Sequence, residues 1–262
     1  MTRNKVQAIV LKTSWVMSCA YSQTGKFVAS GGLDNSCSVY QLDVQSDPGV
    51  VAKPPVKELA HHDGYVSCIS FLDNDSKVLT GSGDSKCILW DLEKASVLSE
   101  FDQHSADISS VAVSYDSRLF VSASVDTTVK LWDLRDGSTK PKFTFRNHTK
   151  GVNTVSFFPD ENSICTSSDD ETIRHFDLRS LSQMFCFEDK GSKTSTGAVF
   201  SKSGRVLFGS YEDGSIIAWD VLTGKSLSTV KAHDDRVSCL CMSPDGKVLC
   251  SGSWDMSIKI WA

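Results

Sequence analysis

The sequence predicts an all-β fold, a β-propeller of six repeats, from three observations. An aspartate returns at intervals of 50, 42, 44, 43 and 42 residues, and an aromatic residue follows each copy six positions later. Each repeat consists of short segments in which apolar and polar residues alternate, with turn residues between them and no helical stripe. A period of about 40–45 residues is typical of WD-repeat blades. We expect a single domain over residues 1–262. The repeated aspartates are Asp34, Asp84, Asp126, Asp170, Asp213 and Asp255.

Two further positions keep a fixed spacing to the aspartate and predict a hydrogen-bond network. A serine or threonine stands four residues before it in five copies, and a histidine stands twenty-two residues before it in four copies. A buried imidazole needs partners for both nitrogens, and a buried carboxylate is costly without donors. A chain from Asp through His and Ser or Thr to the Trp N–H satisfies all of these groups within one repeat. The predicted members are His62, Thr80, Asp84 and Trp90; His104, Ser122, Asp126 and Trp132; His148, Thr166 and Asp170; and His233, Ser251, Asp255 and Trp261.

A set of Ser, His and Asp also allows a catalytic interpretation, which the repetition disfavours. A hydrolase has one triad with an exposed nucleophile, whereas this set recurs in at least three repeats and is expected to be buried. The sequence contains no phosphate-binding loop, nucleophile elbow or zinc-protease motif. We therefore predict no enzymatic activity, no cofactor and no metal site.

The fifth repeat departs from this pattern. Gly209 stands where the hydroxyl residue is expected, and no histidine precedes Asp213 at the usual spacing. Because the network cannot form there, we expect looser packing in this repeat.

Charge and cysteine usage exclude several classes of function. The net charge is -5, and no run of Lys and Arg is longer than two, so no basic face for nucleic acid is expected. The chain opens without a signal peptide, and its apolar stretches have the length of strands. Nine cysteines lie scattered without C-x-x-C spacing, which predicts thiols in a reducing compartment. We expect a cytoplasmic protein that reaches the inner face of the plasma membrane only through partners, without direct membrane insertion.

The two ends of the chain predict how the propeller closes. The sequence stops after the third strand of the last repeat, and residues 5–11 (KVQAIVL) form a strand with no earlier partner. An unpaired third strand leaves a bare sheet edge. We therefore expect the N-terminal strand to complete the last blade. The alternative is a seven-blade geometry with one blade missing.

Six stretches of the sequence resemble the WD-repeat beta subunit of heterotrimeric G proteins. They are WVMSCAY at 15–21, GGLDN at 31–35, RLFVS at 118–122, FSKSGR at 200–205, DDRVSCL at 234–240 and GSWD at 252–255. The resemblance covers essentially the whole chain and corresponds to the last six of the family's seven repeats. The N-terminal helix with which the family binds its gamma subunit has no counterpart, which puts gamma binding in doubt.

Two positions in each repeat are expected to meet at one edge of the propeller. The leading position lies nineteen residues before the aspartate, and the turn position lies one residue before it. Trp15 and Tyr65 occupy leading positions, and Leu33 and Trp254 occupy turn positions. Clustered apolar residues in exposed turns usually mark a binding surface, and Trp and Tyr are common interface hot spots.

The resemblance implies that this edge grips the switch region of a GDP-bound alpha subunit and that effectors compete for it. One acidic position of the family is Gly151 here, so one polar contact is expected to be missing. We call the matching residues the candidate interaction surface. They are Trp15, Met17, Leu33, Asn35, Tyr65, Asp107, Asp169 and Trp254.

The sequence thus predicts a non-catalytic signalling adaptor similar to a G-protein beta subunit, acting in receptor-coupled signal transduction with an alpha subunit and effectors as partners. One alternative is a generic WD-repeat scaffold of another multiprotein complex, which the G-protein-like stretches disfavour. Another is a non-functional fragment, which aggregation of the purified protein would reveal. Nucleic-acid binding is disfavoured by the acidic net charge.

Overall fold

The six predicted repeats form six antiparallel β-sheets. The computed structural model describes residues 9, 11, 15–42, 54–189, 191 and 193–262, and within these ranges it contains strands and no helix. In each sheet the strands that neighbour one another in space also follow one another along the chain. The predicted all-β fold of the WD-repeat propeller class is confirmed.

The strands are numbered in chain order. The first sheet contains β1 (Val16–Tyr21), β2 (Phe27–Gly32), β3 (Ser36–Gln41) and β4 (Lys57–Ala60). The second contains β5 (Val66–Leu72), β6 (Lys77–Ser82), β7 (Cys87–Asp91) and β8 (Ser96–Phe101). The third contains β9 (Ile108–Val113), β10 (Leu119–Ser124), β11 (Val129–Asp133) and β12 (Phe143–Phe145). The fourth contains β13 (Val152–Phe157), β14 (Ser163–Ser168), β15 (Thr172–Asp177) and β16 (Ser182–Glu188). The fifth contains β17 (Ser195–Phe200), β18 (Val206–Tyr211), β19 (Ser215–Asp220) and β20 (Ser226–Lys231). The sixth contains β21 (Val237–Met242), β22 (Leu249–Ser253) and β23 (Ile258–Trp261).

These strands belong to two compact units. The first unit comprises Met1–Val111 with Leu134–Lys140, and so holds the first two sheets and the beginning of β9. The second comprises Ala112–Asp133 with Pro141–Ala262, and so holds the strands from β10 to β23. The single-domain organisation stays a prediction.

Within each unit, successive sheets bury apolar side chains against one another. In the first unit Ala29 and Val39 of the first sheet share a core with Val66 and Ile69 of the second. The sheets approach so closely there that a Cβ on Gly31 would lie 2.7 Å from Val66 Cγ1. In the second unit one core joins the third and fourth sheets, and another joins the fourth and fifth. Each fully buried aliphatic side chain stabilises the fold by about 1.5–3 kcal/mol.

The repeated aspartate lies in the turn between the second and third strands of its sheet. The residue after it has a positive φ in all six turns, between 58° at Asn35 and 82° at Gly214. Only Gly adopts this left-handed conformation without cost, and Asn is the next most tolerant residue. The conformation reverses the chain tightly enough to bring the aspartate back over its own sheet.

A β-bulge interrupts the first strand of five sheets at the same position, seventeen residues before the aspartate. The pairing shifts at Met17 in β1 and at Ser67 in β5. The same shift recurs in β13, β17 and β21. A bulge places one extra residue on its strand and turns the neighbouring side chains. The bulge therefore changes the direction of the side chains near the leading position, which do not follow the simple alternation of a regular strand.

The fifth sheet differs from the expectation of looser packing. Tyr211 is fully buried, and its hydroxyl lies 3.3 Å from where a Cβ on Gly209 would stand. The phenol therefore fills the space that a serine or threonine and a histidine occupy in other repeats. Asp213 contacts Lys193 Nζ at 2.9 Å instead of an imidazole. A tyrosine and a lysine thus occupy the place of the missing network without reproducing its hydrogen bonds, because the buried Tyr211 hydroxyl and Trp219 Nε1 have no hydrogen-bond partner among the described residues.

The predicted closing strand, residues 5–11, lies outside the described residues apart from Ile9 and Leu11. Its pairing with the last blade stays a prediction, and three strands form the sixth sheet in the described part of the chain. The described residues also include no helix of the length and hydrophobicity needed to cross a lipid bilayer.

Candidate functional site

The polar network of the second sheet joins its leading loop, its turn and its second and third strands. His62 Nδ1 lies 2.7 Å from Asp84 Oδ2, and His62 Nε2 lies 2.7 Å from Thr80 Oγ1. Trp90 Nε1 donates to Thr80 Oγ1 at 2.9 Å. Because the carboxylate can only accept, Nδ1 carries a proton, and Thr80 Oγ1 accepts from Trp90 Nε1 while it is hydrogen-bonded to Nε2. Each side-chain polar group that links these four residues has a hydrogen-bond partner.

The fourth and sixth sheets hold the same arrangement. His148 Nδ1 lies 2.8 Å from Asp170 Oδ2, and its Nε2 lies 2.7 Å from Thr166 Oγ1. His233 bridges Asp255 and Ser251 at 2.8 and 2.7 Å. Trp261 Nε1 donates to Ser251 at 3.0 Å. The fourth sheet has Phe176 in place of the tryptophan, so its chain ends at the threonine.

The third sheet contains the tryptophan end of the network. Trp132 Nε1 donates to Ser122 Oγ at 2.9 Å, and both residues are buried. Asp126 accepts from the backbone and hydroxyl of Thr128. His104 is buried too, and it belongs to the first unit whereas these four residues belong to the second.

Three carboxyls of these networks have lowered pKa values, those of Asp84, Asp170 and Asp255. Burial alone would raise the pKa of Asp84, but the hydrogen bond and charge of His62, with the amides of Lys86 and Asp63, lower it to about 2. Burial is outweighed in the same way at Asp170, where His148 and Thr172 hold the pKa below its usual range. At Asp255 the hydrogen bond from Ser257 is the largest cause, and His233 adds to it.

We expect the protein to lose stability in acid, between about pH 4 and about pH 2. A carboxyl with a folded-state pKa below its unfolded value of about 3.9 stabilises the fold fully above that value. Its contribution is lost as the pH falls through the folded pKa. Urea unfolding across this range measures the loss, and an Asp84→Asn variant should show a shallower fall. Equal pH dependence in the two proteins would contradict this assignment.

The leading and turn positions of a repeat are joined by a backbone hydrogen bond. The N–H at the turn position donates to the carbonyl at the leading position, from Leu33 to Trp15 at 3.2 Å and from Gly83 to Tyr65 at 2.9 Å. The same bond forms in the fourth, fifth and sixth repeats at 3.0 Å. Within a repeat, the two positions therefore form one local surface.

The first unit presents the apolar part of the candidate interaction surface. Trp15, Leu33 and Met17 are 66%, 52% and 50% exposed. The backbone hydrogen bond from Leu33 to Trp15 holds the start of β1 beside the turn that carries Leu33. Asn35 is half-buried, and its Nδ2 donates to the carbonyl of Asp63 at 3.3 Å, which ties this turn to the loop leading into the second sheet.

Tyr65 and Asp107 form the polar part of the first unit. The Tyr65 hydroxyl donates to Asp107 Oδ2 at 2.7 Å. Partial burial, followed by this hydrogen bond and the charge of Asp107, raises the pKa of Tyr65 to about 12. A Cβ on Gly83 would lie 2.4 Å from the Tyr65 ring, so the glycine makes room for the ring. The phenol is thus held against the carboxylate.

The second unit contains Asp169 and Trp254. Asp169 Oδ1 accepts from Asn153 Nδ2 at 2.7 Å, and the Asp169 N–H donates to Gly151. Trp254 is 65% exposed, and the Arg236 guanidinium lies 5.5 Å from the centre of its ring. A cation at this distance over an indole is attracted to it. The relation of these two residues to those of the first unit stays a prediction.

Sequence reasoning overlooked two side chains that position this surface. Arg236 occupies the leading position of the sixth repeat, so the spacing that identified Trp15 could also have identified it. Asn153 holds Asp169 and also donates to the carbonyl of Ser195 at 2.9 Å. It stands at the bulge of β13, a position that the repeat spacing alone did not single out.

The whole chain is similar in sequence to known proteins of one family. A family model described as G protein beta WD-40 repeat protein matches residues 1–262. The guanine nucleotide-binding protein subunit beta of Zea mays is 41% identical over 280 residues, covering 100% of this chain and 73% of the relative. The subunits of the same name from Solanum tuberosum and Arabidopsis thaliana are each 42% identical, with the same coverage of both chains.

Proposed function

Since the chain belongs to the G protein beta WD-40 repeat family, we propose that it binds a GDP-bound G-protein alpha subunit through the candidate interaction surface, and that effectors compete for the same residues. It is a non-catalytic signalling adaptor. It acts in the cytoplasm and reaches the inner face of the plasma membrane through its partners.

The observation that carries the proposal is the exposed apolar turn of the first repeat. Trp15 and Leu33 are more than half exposed although their backbones are hydrogen-bonded to each other. The exposed surface of these two apolar side chains does not contribute to the buried core of the protein. Because the backbone is already ordered, binding through them loses little conformational entropy.

The polar residues of the candidate interaction surface favour a basic partner. Tyr65 holds Asp107 in the first unit, and Asn153 holds Asp169 in the second. Each hydrogen bond fixes the position of a carboxylate. Fixed charges at an interface favour a partner of complementary charge and fix its orientation.

Size-exclusion chromatography tests the proposal directly. The purified chain is run alone, with an alpha subunit loaded with GDP, and with the same alpha subunit loaded with a non-hydrolysable GTP analogue. We expect co-elution with the GDP form and separation from the GTP form, because the switch region that the surface binds changes its conformation with the nucleotide.

Three outcomes contradict the proposal. If the chain is monodisperse but does not co-elute with the alpha subunit in either nucleotide state, the result favours a WD-repeat scaffold with other partners. Binding of equal strength to both nucleotide states means that the surface does not read the switch region. Chain found only in the void volume indicates that the purified protein is aggregated, as expected of a non-functional fragment.

A further inference from the structure

Three thiols share one face of the sixth sheet. In β21 Leu240 and Met242 contact the apolar core, and the alternating residues Cys239 and Cys241 are exposed on the other face. In β22 Leu249 belongs to the core, and Cys250 lies on the opposite face. Alternation along two paired strands therefore places the three cysteines on the same side of the sheet.

Cys241 and Cys250 are directly opposite each other in the register of β21 and β22. Directly opposite residues of antiparallel strands have Cα atoms about 4.5–5.5 Å apart, within the range of about 4.4–6.8 Å found for disulfides. Cys239 is opposite Gly252 and only diagonal to Cys250. Diagonal neighbours lie about 7–8 Å apart, beyond the usual reach of a disulfide.

The corresponding position of the fourth sheet shows that side chains placed in this way touch. Ser156 stands fourteen residues before Asp170 and Cys165 five residues before it, as Cys241 and Cys250 stand before Asp255. Ser156 Oγ and Cys165 Sγ are also register partners and lie 3.0 Å apart. The sixth sheet has a thiol at both positions where the fourth has a hydroxyl and a thiol.

The two thiols of the sixth sheet are also open to small reagents. Cys241 is exposed and Cys250 partly exposed. Cys165, in the fourth sheet, is fully buried, and burial raises the pKa of its thiol to about 12. A thiol must ionise to react, and solvent access favours the thiolate.

We propose that Cys241 and Cys250 form a reversible cross-strand disulfide when the chain meets an oxidised low-molecular-weight disulfide. The Cys241 thiolate attacks one sulfur of the small disulfide, forms a mixed disulfide and releases one small thiolate. The Cys250 thiolate then attacks Cys241 Sγ, forms the protein disulfide and releases the second small thiolate. Two protein thiols are oxidised and one small disulfide is reduced to two thiols.

The bond would cross-link β21 to β22, the strand that carries Ser251 of the sixth repeat's network. Ser251, which accepts from Trp261, directly follows Cys250, and Trp254 lies three residues further along the chain. Oxidation is therefore a modification of the sheet that presents Trp254. The inference rests on strand register and does not depend on the proposed function.

Peptide mapping after treatment with oxidised glutathione tests the proposal. The reduced, folded chain is treated, its remaining thiols are alkylated, and it is digested with trypsin. Cleavage after Arg236, Lys247 and Lys259 yields peptide 237–247 with Cys239 and Cys241, and peptide 248–259 with Cys250. We expect the two peptides to be disulfide-linked and to separate after treatment with dithiothreitol.

Serine variants identify the bond and serve as matched controls. The linked peptide should be lost in Cys241→Ser and in Cys250→Ser, and should persist in Cys239→Ser. Thermal unfolding of each variant, compared with the parent, confirms that the sheet is intact. A link that survives in Cys241→Ser, or a parent chain that carries only glutathione adducts at Cys241, would overturn the proposal.

Discussion

Replacing Thr80 with valine is expected to lower the free energy of unfolding by about 3 kcal/mol, because two buried polar groups lose their common partner. Valine has nearly the shape of threonine, so the change removes the hydroxyl and leaves the packing of β6 in place. The hydroxyl accepts from Trp90 Nε1 and contacts His62 Nε2 at 2.7 Å. Both residues stay buried, and water cannot replace the lost bonds without opening the sheet.

Urea unfolding followed by tryptophan fluorescence measures the change in stability. Amide hydrogen exchange then locates it, because the loss of protection should centre on the second sheet. Thr229→Val is the matched control. It also replaces a hydroxyl with a methyl group, but on the exposed strand β20. Equal effects of the two variants would contradict the network as a source of stability.

Replacing Trp15 with alanine is expected to weaken binding of a GDP-loaded alpha subunit by about 2 kcal/mol, or about thirtyfold in Kd. The indole is two-thirds exposed in the free chain, so its removal costs little folding stability. Its loss is expected to act on the proposed complex, because large aromatic side chains are common interface hot spots. The prediction rests on the proposed function.

Isothermal titration calorimetry measures this Kd, and Tyr21→Ala is the matched control. Tyr21 is an exposed aromatic residue at the opposite end of β1 from Trp15. Removing it should leave the affinity unchanged, because Trp15 lies next to the other end of the strand. Undiminished binding by Trp15→Ala, or equal losses in both variants, would contradict the assignment. Trp254→Ala tests the second unit separately.

The sequence allowed the six sheets and the networks to be predicted because both depend on spacing. A turn aspartate and an aromatic residue six positions later mark the second and third strands of each sheet. The histidine spacing placed His62, His148 and His233 near their carboxylates before any distance was known. Fixed spacing works here because every partner lies within the same repeat.

Other features depend on contacts that spacing does not encode. Tyr211 fills the fifth sheet because Gly209 leaves room for a ring, and the sequence shows only that a hydroxyl and a histidine are missing. The bulges have only a weak marker, since the bulged residue is a serine, threonine or asparagine in four sheets and a methionine in the first. The hydrogen bond from Asn153 to Asp169 depends on the bulge of β13, so the spacing of the repeats does not predict it.

The short range of each network has a consequence for biosynthesis. The histidine and aspartate of one network are 22 residues apart, and its histidine and hydroxyl are 18 residues apart. Contacts of such short range close early and quickly compared with pairings between distant segments. A nascent chain can therefore complete the polar interior of one repeat while the next is still being translated. The network aspartates Asp84, Asp170 and Asp255 can then pair with their histidines before the next repeat has been synthesised.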